Sequence, residues 1–323
     1  TTQQICGGTT LASCAANPLT ANLTANPGGG LRRDLAGDWD ALTGTLALQW
    51  RPDSSTNLYA RYSRGYKAGG WLGSNGLSPD PYADPEYVNS YEAGAKKTFG
   101  GQLQINTALF YTDYKGFQAP LTVPLGSITA TQFLNLDATV WGLEVETQWS
   151  PVRDLQFFLN YAYLNTELDT GCCFVDTIDP LALAPGAQPV GPAANGRVLQ
   201  TVVGNDLPLS PHNKVTVGAT YTFDFEPGSL TFSGTATYTD AQTSALFNNP
   251  AYRSPSFTTG DVRVLWRDAG SRYTMIGFVK NVTDEVGFGS SVASPTGLTA
   301  VGARRQVSLI FPRTYGVELQ YRF

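Results

Sequence analysis

The sequence is poor in charged residues and nearly lacks two residue types that functional sites often use. Charged residues make up 15% of the 323 residues, with 21 Lys and Arg against 26 Asp and Glu, and the chain has one His and one Met. The net charge of -5 argues against nucleic acid as a partner. No apolar run reaches about 18 residues, which excludes a transmembrane helix.

The sequence also lacks the motifs of the common enzyme classes. It contains no G-x-S-x-G elbow, no P-loop and no G-x-G-x-x-G fingerprint. The one imidazole, His212, follows Ser210 in a segment that we interpret as a loop returning into a strand. Because a single histidine leaves a single candidate imidazole base, we expect neither an enzyme nor a cofactor.

What the sequence has in abundance is alternation of apolar and polar residues with a period of two. One example is the run Val215, Val217, Ala219, Tyr221 and Phe223, with polar or small residues between. Because successive side chains of a strand point to opposite faces, such a segment has one apolar and one polar face. Eleven segments follow this pattern, at about residues 40–50, 56–66, 87–99, 102–115, 133–149, 155–166, 213–225, 230–240, 256–266, 272–283 and 304–323.

Short and long connections alternate strictly between the segments. The short ones are rich in Gly, Pro, Asp and Ser and cover residues 51–55, 100–101, 150–154, 226–229 and 267–271. The long ones cover residues 67–86, 116–132, 167–212, 241–255 and 284–303. Short turns at one end and long loops at the other are typical of an outer-membrane barrel.

Segment length and aromatic position indicate the same architecture. Many segments reach about ten residues, which is what a tilted strand needs to cross a bilayer. Aromatic residues stand beside the short turns, where rings prefer the headgroup level: Trp50, Trp149, Phe225 and Trp266. We therefore predict an all-β, antiparallel up-and-down transmembrane β-barrel with about eleven strands. A secreted β-sandwich or adhesin is the alternative. Pro312 interrupts the last segment, and we expect an extracellular extension to meet the membrane-embedded part there.

Five motifs carry a resemblance to a known family. They are Gly65-Tyr66-Lys67-Ala68-Gly69-Gly70, Ser90-Tyr91-Glu92-Ala93-Gly94-Ala95-Lys96, Ala108-Leu109-Phe110-Tyr111-Thr112-Asp113-Tyr114, Asn281-Val282-Thr283-Asp284, and Pro312-Arg313-Thr314-Tyr315-Gly316 with the terminal Phe323. In this order they resemble the C-terminal barrel of TonB-dependent outer-membrane receptors, over about residues 40–323.

The resemblance implies uptake of a scarce nutrient across the bacterial outer membrane, most directly a ferric siderophore or a similar iron complex. In this family a 22-stranded barrel surrounds a plug domain, and the TonB system supplies the energy. We find neither the plug nor a TonB-contact motif in this sequence. We therefore expect the C-terminal half of such a barrel, with residues 1–39 as an extracellular loop segment and 40–323 as barrel strands. A passive porin-like or structural outer-membrane barrel is the alternative function.

Three sets of residues are candidate sites. Aromatic and cationic loop residues suit an anionic or aromatic ligand at the extracellular mouth: Arg64, Tyr66, Lys67, Trp71, Tyr82, Tyr87, His212, Phe247, Tyr252, Arg304 and Arg305. Inward-facing polar residues are expected to line the lumen and contact the plug: Arg61, Glu92, Lys96, Asn106, Glu144, Glu146, Gln148 and Lys280. An interfacial girdle with solvated loop tips is the alternative for the first set, and a generic hydrated lining for the second.

The third set is the apolar stripe Val317, Leu319, Tyr321 and Phe323. Through the resemblance it corresponds to the sorting signal that the barrel-assembly machinery reads, by strand addition at an exposed edge. A plain strand facing outer-membrane lipid is the simpler interpretation, and both can hold.

The four cysteines all fall in predicted extracellular segments, where an oxidising envelope favours disulfides. Cys6 and Cys14 make the simple pair, while Cys172 and Cys173 are either joined to each other or partnered across loops. The absence of a CxxC motif disfavours zinc. Asp80, Asp84 and Glu86 share one loop, but their spacing matches no known calcium loop, and we expect no bound metal.

Overall fold

The computed structural model describes residues 24–25, 31–32, 35–71, 82–125, 128–174, 176, 178, 200–295 and 303–323. Eleven strands form its main sheet: β1 (Gly44–Asp53), β2 (Thr56–Lys67), β3 (Glu86–Phe99), β4 (Leu103–Leu125), β5 (Ile128–Val152), β6 (Leu155–Leu168), β7 (Asn213–Phe225), β8 (Gly228–Thr239), β9 (Phe257–Asp268), β10 (Tyr273–Lys280) and β11 (Thr314–Tyr321). Each strand pairs antiparallel with its neighbour in sequence, from β1 to β11 without a crossover. The predicted up-and-down sheet of eleven strands is confirmed.

Small elements occupy the long connections. Five two-stranded ribbons are present among the described residues: Thr24–Ala25 with Leu31–Arg32, Gly70–Trp71 with Tyr82–Ala83, Cys172–Phe174 with Gln200–Thr201, Gln242–Thr243 with Arg253–Ser254, and Phe288–Pro295 with Ala303–Leu309. A 3-10 turn, Pro250–Tyr252, precedes one of these ribbon strands. Within the described ranges, no helix has the length and apolar character to span a membrane.

The two faces of the main sheet differ in chemistry because its registers keep the alternation in phase from strand to strand. One row of directly paired residues, Leu46, Tyr62, Tyr91, Tyr111 and Trp141, crosses β1 to β5. This face, called the outer face below, leaves large apolar side chains uncovered, and Leu48 is 71% exposed. Acyl chains remove such surface from water, at about 25 cal/mol per Å² of apolar area. The opposite, inner face carries polar rows.

The predicted loop at 116–132 is wrong. β4 continues to Leu125 and β5 begins at Ile128, and these two residues are paired. The register shifts between Tyr114 and Phe117, around Gly116 with its positive φ of 72°. A β-bulge absorbs an extra residue and re-phases the alternation, so a continuous strand looked like the end of one.

The last predicted segment, 304–323, is also wrong as a single strand. Ala303–Leu309 pairs with Phe288–Pro295 in a separate ribbon, and β11 begins only at Thr314. Pro312 lies in the break, as expected for a residue that has no N–H for a ladder. The segment 272–283 also ends early, at Lys280, because Asn281 turns the chain with a positive φ of 50°.

A small hydrophobic core lies at the long-loop end of the sheet. It joins the extensions of β4 and β5 to the connections before β7 and before β9, and contains Ala119, Leu121, Leu134, Leu136, Ala138, Leu168, Ile178, Val202, Leu207, Leu246, Phe247 and Tyr252. The long connections therefore pack as a cap on one side of the sheet. At the other extreme, β1 and β11 form the two edges of the sheet.

Candidate functional site

The inner face carries the polar residues predicted for a lumen. Arg61, Glu92, Lys96, Asn106, Glu144, Glu146, Gln148 and Lys280 all occupy inner-face positions in the observed registers. Arg61 forms an ion pair with Glu92, and the Tyr59 hydroxyl donates a 2.7 Å hydrogen bond to the same carboxylate. Asn106 Nδ2 donates to Glu146 Oε2 at 3.3 Å. The structure thus places all of these side chains on the inner face, and their contact with a plug stays a prediction.

Aromatic rings on this face lie over glycines of the neighbouring strand. Four directly paired couples have this form: Tyr59–Gly94, Phe110–Gly142, Phe158–Gly218 and Phe278–Gly316. A Cβ added at Gly218 would stand 2.3 Å from Phe158 Cε1, closer than any real contact. Each ring therefore lies flat against the wall, where a side chain on the partner would push it away. This pairing cannot be read from the sequence, because it depends on the register between neighbouring strands.

Three of the predicted mouth residues point outward instead of toward the lumen. Arg64, Tyr66 and Tyr87 continue the outer-face rows of β2 and β3. The rings of Tyr66 and Tyr87 are 5.4 Å apart, and the Arg64 guanidinium lies 5.5 Å from the Tyr87 ring centroid. This arrangement fits the alternative interpretation, an aromatic girdle at the membrane interface.

A second aromatic group lies in the first long connection. Trp71 packs edge-on against Tyr82 at 6.3 Å, and Trp39, which the sequence analysis did not include, lies 6.0 Å from Trp71. Lys67 Nζ lies 3.9 Å from the Glu86 carboxylate. The Glu86 carboxylate also accepts a 2.9 Å hydrogen bond from the backbone nitrogen of Gln118. Glu86 therefore ties this connection to β4.

Phe247 and Tyr252 are buried in the cap, with 4% and 7% of their surface exposed. The Tyr252 hydroxyl donates to Asp176 Oδ1 at 3.0 Å, and Asn249 Nδ2 donates to Asp176 Oδ2 at 2.9 Å. Burial, together with the neighbouring carboxylate, raises the pKa of Tyr252, so its hydroxyl remains a hydrogen-bond donor. These aromatic rings therefore serve the packing of the cap and the placement of its loops.

A polar cavity of about 450 Å³ opens beside this cap. Its lining includes Asp206, His212, Gln242, Thr243, Asn248, Asn249 and Arg253. His212 Nδ1 faces the Leu164 carbonyl at 3.0 Å, and Nε2 faces Asp206 Oδ2 at 3.2 Å. Both partners are acceptors, so an imidazolium can donate to both at once and a neutral ring to only one.

The cavity is anchored below by the start of β7. Asn213 Nδ2 donates to Asp240 Oδ2 at 3.0 Å, and this hydrogen bond, with one from the Ala241 amide nitrogen, lowers the pKa of Asp240. Arg253 has no carboxylate within ion-pair distance among the described residues, which leaves its guanidinium available to a ligand.

The remaining predicted positions are distributed over the loops. Arg305 donates from Nε to Ser291 Oγ at 2.7 Å and lies over the Phe288 ring at 5.2 Å, while the Arg304 side chain lies outside the described residues. Cys172 is in a disulfide. The Cys6, Cys14 and Cys173 side chains and Asp80 lie outside the description, as does most of the predicted 1–39 segment. No group of three or more metal-binding side chains occurs in the described part of the chain.

The Asn-x-x-Asp motif makes hydrogen bonds to the segment that leads into the last strand. Asn281 is buried, its Nδ2 donates to the carbonyls of Glu285 and Phe311, and its Oδ1 accepts from the Glu285 amide nitrogen at 2.9 Å. Asp284 accepts a 3.0 Å bond from the Arg313 amide nitrogen. Two of the motifs behind the family resemblance therefore meet in space and fix the entry into β11.

The terminal stripe lies on the outer face of the edge strand β11. Val317, Leu319 and Tyr321 are 71%, 76% and 52% exposed, and Phe323 follows them. Tyr321 contacts Tyr273 of β10 at 5.1 Å and Phe323 at 5.0 Å. The stripe is thus uncovered apolar surface beside an unpaired strand edge.

An antiparallel wall with an apolar outer face and a charged inner face defines the class of outer-membrane β-barrel proteins. The family model "TonB dependent receptor-like, beta-barrel" matches residues 17–289, and the chain belongs to this family. It is accordingly a protein of the bacterial outer membrane.

Solved structures share the fold at low sequence identity. The ferric yersiniabactin uptake receptor FyuA from Yersinia pestis superimposes with a TM-score of 0.64 at 17% identity, over 87% of this chain and 37% of that one. The siderophore receptor PiuA from Acinetobacter baumannii gives 0.61 at 17% identity, over 86% and 35%. The copper transporter OprC gives 0.61 at 14% identity, over 87% and 39%. The chain thus spans a little over a third of the length of these proteins.

Proposed function

We propose that this chain forms part of the barrel wall of a receptor that takes up a scarce nutrient across the outer membrane, most directly a ferric siderophore or a similar metal complex. The observation that carries the proposal is the division of one eleven-stranded sheet into an apolar outer face and a charged inner face, in a chain of this receptor family. A plug domain inside the lumen and the TonB system as energy source are partners within the same proposal.

The polar cavity beside the cap supports a ligand-binding role for the long-loop end. It combines the guanidinium of Arg253, which has no carboxylate partner among the described residues, with the imidazole of His212 and the side-chain amides of Gln242 and Asn248. Charge-assisted hydrogen bonds from a guanidinium suit carboxylate or hydroxamate oxygens of a metal chelate. Arg305, which contacts Arg253, and Trp71, in the first long connection, are further candidates for contact with a large ligand.

The similar structures include proteins described for iron and for copper, and complexes of these metals share some chemistry. FyuA is described as an uptake receptor for ferric yersiniabactin, PiuA as a siderophore receptor and OprC as a copper transporter. Iron and copper chelates both present anionic oxygen donors and a bulky outline, so the cavity alone does not separate them. We favour a ferric siderophore because, of these three similar structures, one is described as a receptor for a ferric complex and one as a siderophore receptor.

Uptake of radiolabelled iron tests the proposal. A strain without the gene and a complemented strain would receive ferric catecholate, hydroxamate and carboxylate siderophores in turn, with radiolabelled copper as the alternative cargo. We expect saturable, gene-dependent uptake of one complex, abolished by a protonophore because the energy comes from the inner membrane. A passive porin-like barrel would give uptake that neither saturates nor responds to the protonophore.

A matched pair of arginine variants separates binding from folding. Arg253→Ala removes the guanidinium of the cavity, and Arg153→Ala removes another exposed arginine, in a short turn at the opposite end of the sheet. We expect weaker uptake for Arg253→Ala and normal uptake for Arg153→Ala, at equal surface levels. Equal uptake by the two variants would remove the cavity from the proposed binding site.

A further inference from the structure

The charged side chains of the inner face are grouped in two regions. The first, on β2, β3 and β5, contains Arg61, Glu92, Lys96, Glu144 and Glu146. The second, on β9 to β11, contains Asp261, Arg263, Arg267, Lys280 and Glu318. We call these the two charged walls.

Three adjacent strands between the walls present an uncharged surface. Its members on β6, β7 and β8 are Gln156, Phe158, Asn160, Ala162, Thr216, Gly218, Thr220, Thr222, Thr231, Ser233, Thr235, Thr237 and Thr239, called the hydroxyl stripe below. Lys214 at the loop end and Asp224 at the turn end are the charges that bound it on β7. The stripe therefore runs along almost the full height of the sheet.

The hydroxyl groups of the stripe satisfy one another across β7 and β8. Thr216 pairs with Thr237 at 3.1 Å, Thr220 donates to Ser233 at 3.2 Å, and Thr222 pairs with Thr231 at 3.0 Å. A hydroxyl has one donor and two acceptor sites, so each pair keeps capacity for water or a passing polar group. Because the hydroxyls of these three pairs keep each other as partners when such a contact leaves, they do not incur the desolvation penalty of an orphaned polar group.

The charged walls have the opposite property. Lys96, Glu144 and Arg263 have no ion-pair partner within 4 Å among the described residues. These three side chains are exposed, so each can accept an oppositely charged partner from an occupant of the lumen through a charge-assisted hydrogen bond. These walls are suited to hold an occupant in place.

The stripe is also smooth. Phe158, its one aromatic member, lies over Gly218, where an added Cβ would stand 2.3 Å from the ring. Most other members are Thr, Ser or Ala, so the surface is shallow compared with the long Arg and Lys side chains beside it.

We propose that the hydroxyl stripe is the part of the barrel wall along which a polar transported solute passes, while the charged walls hold the occupant of the lumen. This rests on the proposed uptake function. It assigns passage to β6, β7 and β8 and excludes the charged walls on β2, β3 and β5 and on β9 to β11 as the route.

Single-cysteine labelling in the outer membrane of living cells tests the assignment. Asn106, Glu146, Asn160 and Thr216 are successive partners in one inner-face row, so Thr216→Cys and Asn106→Cys stand in the same register row, on the stripe and beside a charged wall. Val217→Cys, on the outer face, is the lipid-facing control. The probe is a membrane-impermeant maleimide bearing a sulfonate, added outside energised cells, and the protein without an added cysteine gives the background.

We expect Thr216→Cys to label about tenfold faster than Asn106→Cys, a ratio equivalent to about 1.4 kcal/mol in access, and Val217→Cys to stay at background. Equal rates for the two inner-face positions, including no labelling of either, would overturn the assignment. A protonophore separates this result from the uptake proposal. If the labelling ratio persists and the protonophore changes neither labelling rate, the assignment of the hydroxyl stripe is supported and the proposal of energised uptake is contradicted.

Discussion

The buried carboxylate of Asp176 should control the order of the cap. It is 1% exposed and accepts three hydrogen bonds, from the Tyr252 hydroxyl at 3.0 Å, from Asn249 Nδ2 at 2.9 Å and from the Ile178 amide nitrogen at 3.2 Å. These bonds tie the connection between β6 and β7 to the one between β8 and β9, which lie more than 70 residues apart in sequence.

The size of the effect follows from the chemistry of the bonds. A hydrogen bond to a charged group contributes about 1.5–3 kcal/mol, so Tyr252→Phe should lower the free energy of local opening by that amount. Asp176→Ala leaves the buried Tyr252 hydroxyl and the partly buried Asn249 amide without an acceptor, at about 1–3 kcal/mol for a buried donor. The sheet itself does not depend on these contacts, and the loss should be confined to the cap.

Hydrogen exchange of the detergent-solubilised protein measures this directly. Peptides covering residues 200–209 and 241–253 should exchange about ten- to hundredfold faster in Tyr252→Phe, while the strands stay protected. Tyr238→Phe is the matched control, because its hydroxyl makes a 3.2 Å bond to Asp240 at an exposed position and should contribute less than about 0.5 kcal/mol.

A double-mutant cycle completes the test. The effects of Tyr252→Phe and Asp176→Ala should be strongly non-additive, since both remove the same bond. Additive effects, or a Tyr252→Phe cap that exchanges no faster than Tyr238→Phe, would refute the reasoning.

Three further predictions concern the sheet and its loops. Gly218→Ala should destabilise by about 1–3 kcal/mol because its Cβ meets Phe158, whereas Gly277→Ala, with open space around it, should not; heat-modifiability on gels would show the difference. Phe323→Ser should lower the amount of protein assembled in the outer membrane, since the apolar stripe loses its end, and an unchanged surface level relative to Arg322→Ser would contradict this. Hydrogen bonds hold the pKa of Asp240 below its ordinary 3.8, so its contribution is present above that value and is lost as pH falls through the lower folded pKa; exchange protection of the ribbon at 242–254 should drop in acid, and Asp240→Asn should remove the pH dependence.

The architecture was predictable because a period of two is a local signal. All eleven strands follow from alternation, and the expected break at Pro312 appears between Leu309 and Thr314. The error at 116–132 has a local cause as well, since the bulge at Gly116 shifts the phase within one strand. In a search for alternating residues, such a shift looks like the end of the strand.

The cap and the hydroxyl stripe could not be predicted from a local pattern in this way. The loop containing Asp176 has no periodicity, and its partner Tyr252 is 76 positions away in sequence, so their hydrogen bond appears only in three dimensions. The outward direction of Arg64 and Tyr66 likewise depends on the register with β3. Which aromatic residue covers which glycine is also a property of the paired strands.

The most direct test of the account is the environment of successive residues along β7. Spin labels at positions 215 to 222, one at a time in the protein reconstituted in bilayers, would report their access to oxygen in lipid and to a water-soluble nickel complex. The account predicts a strict alternation, with Val215, Val217, Ala219 and Tyr221 open to oxygen and the intervening positions open to the nickel complex. Equal access to the nickel complex on both faces, or no period of two, would contradict it.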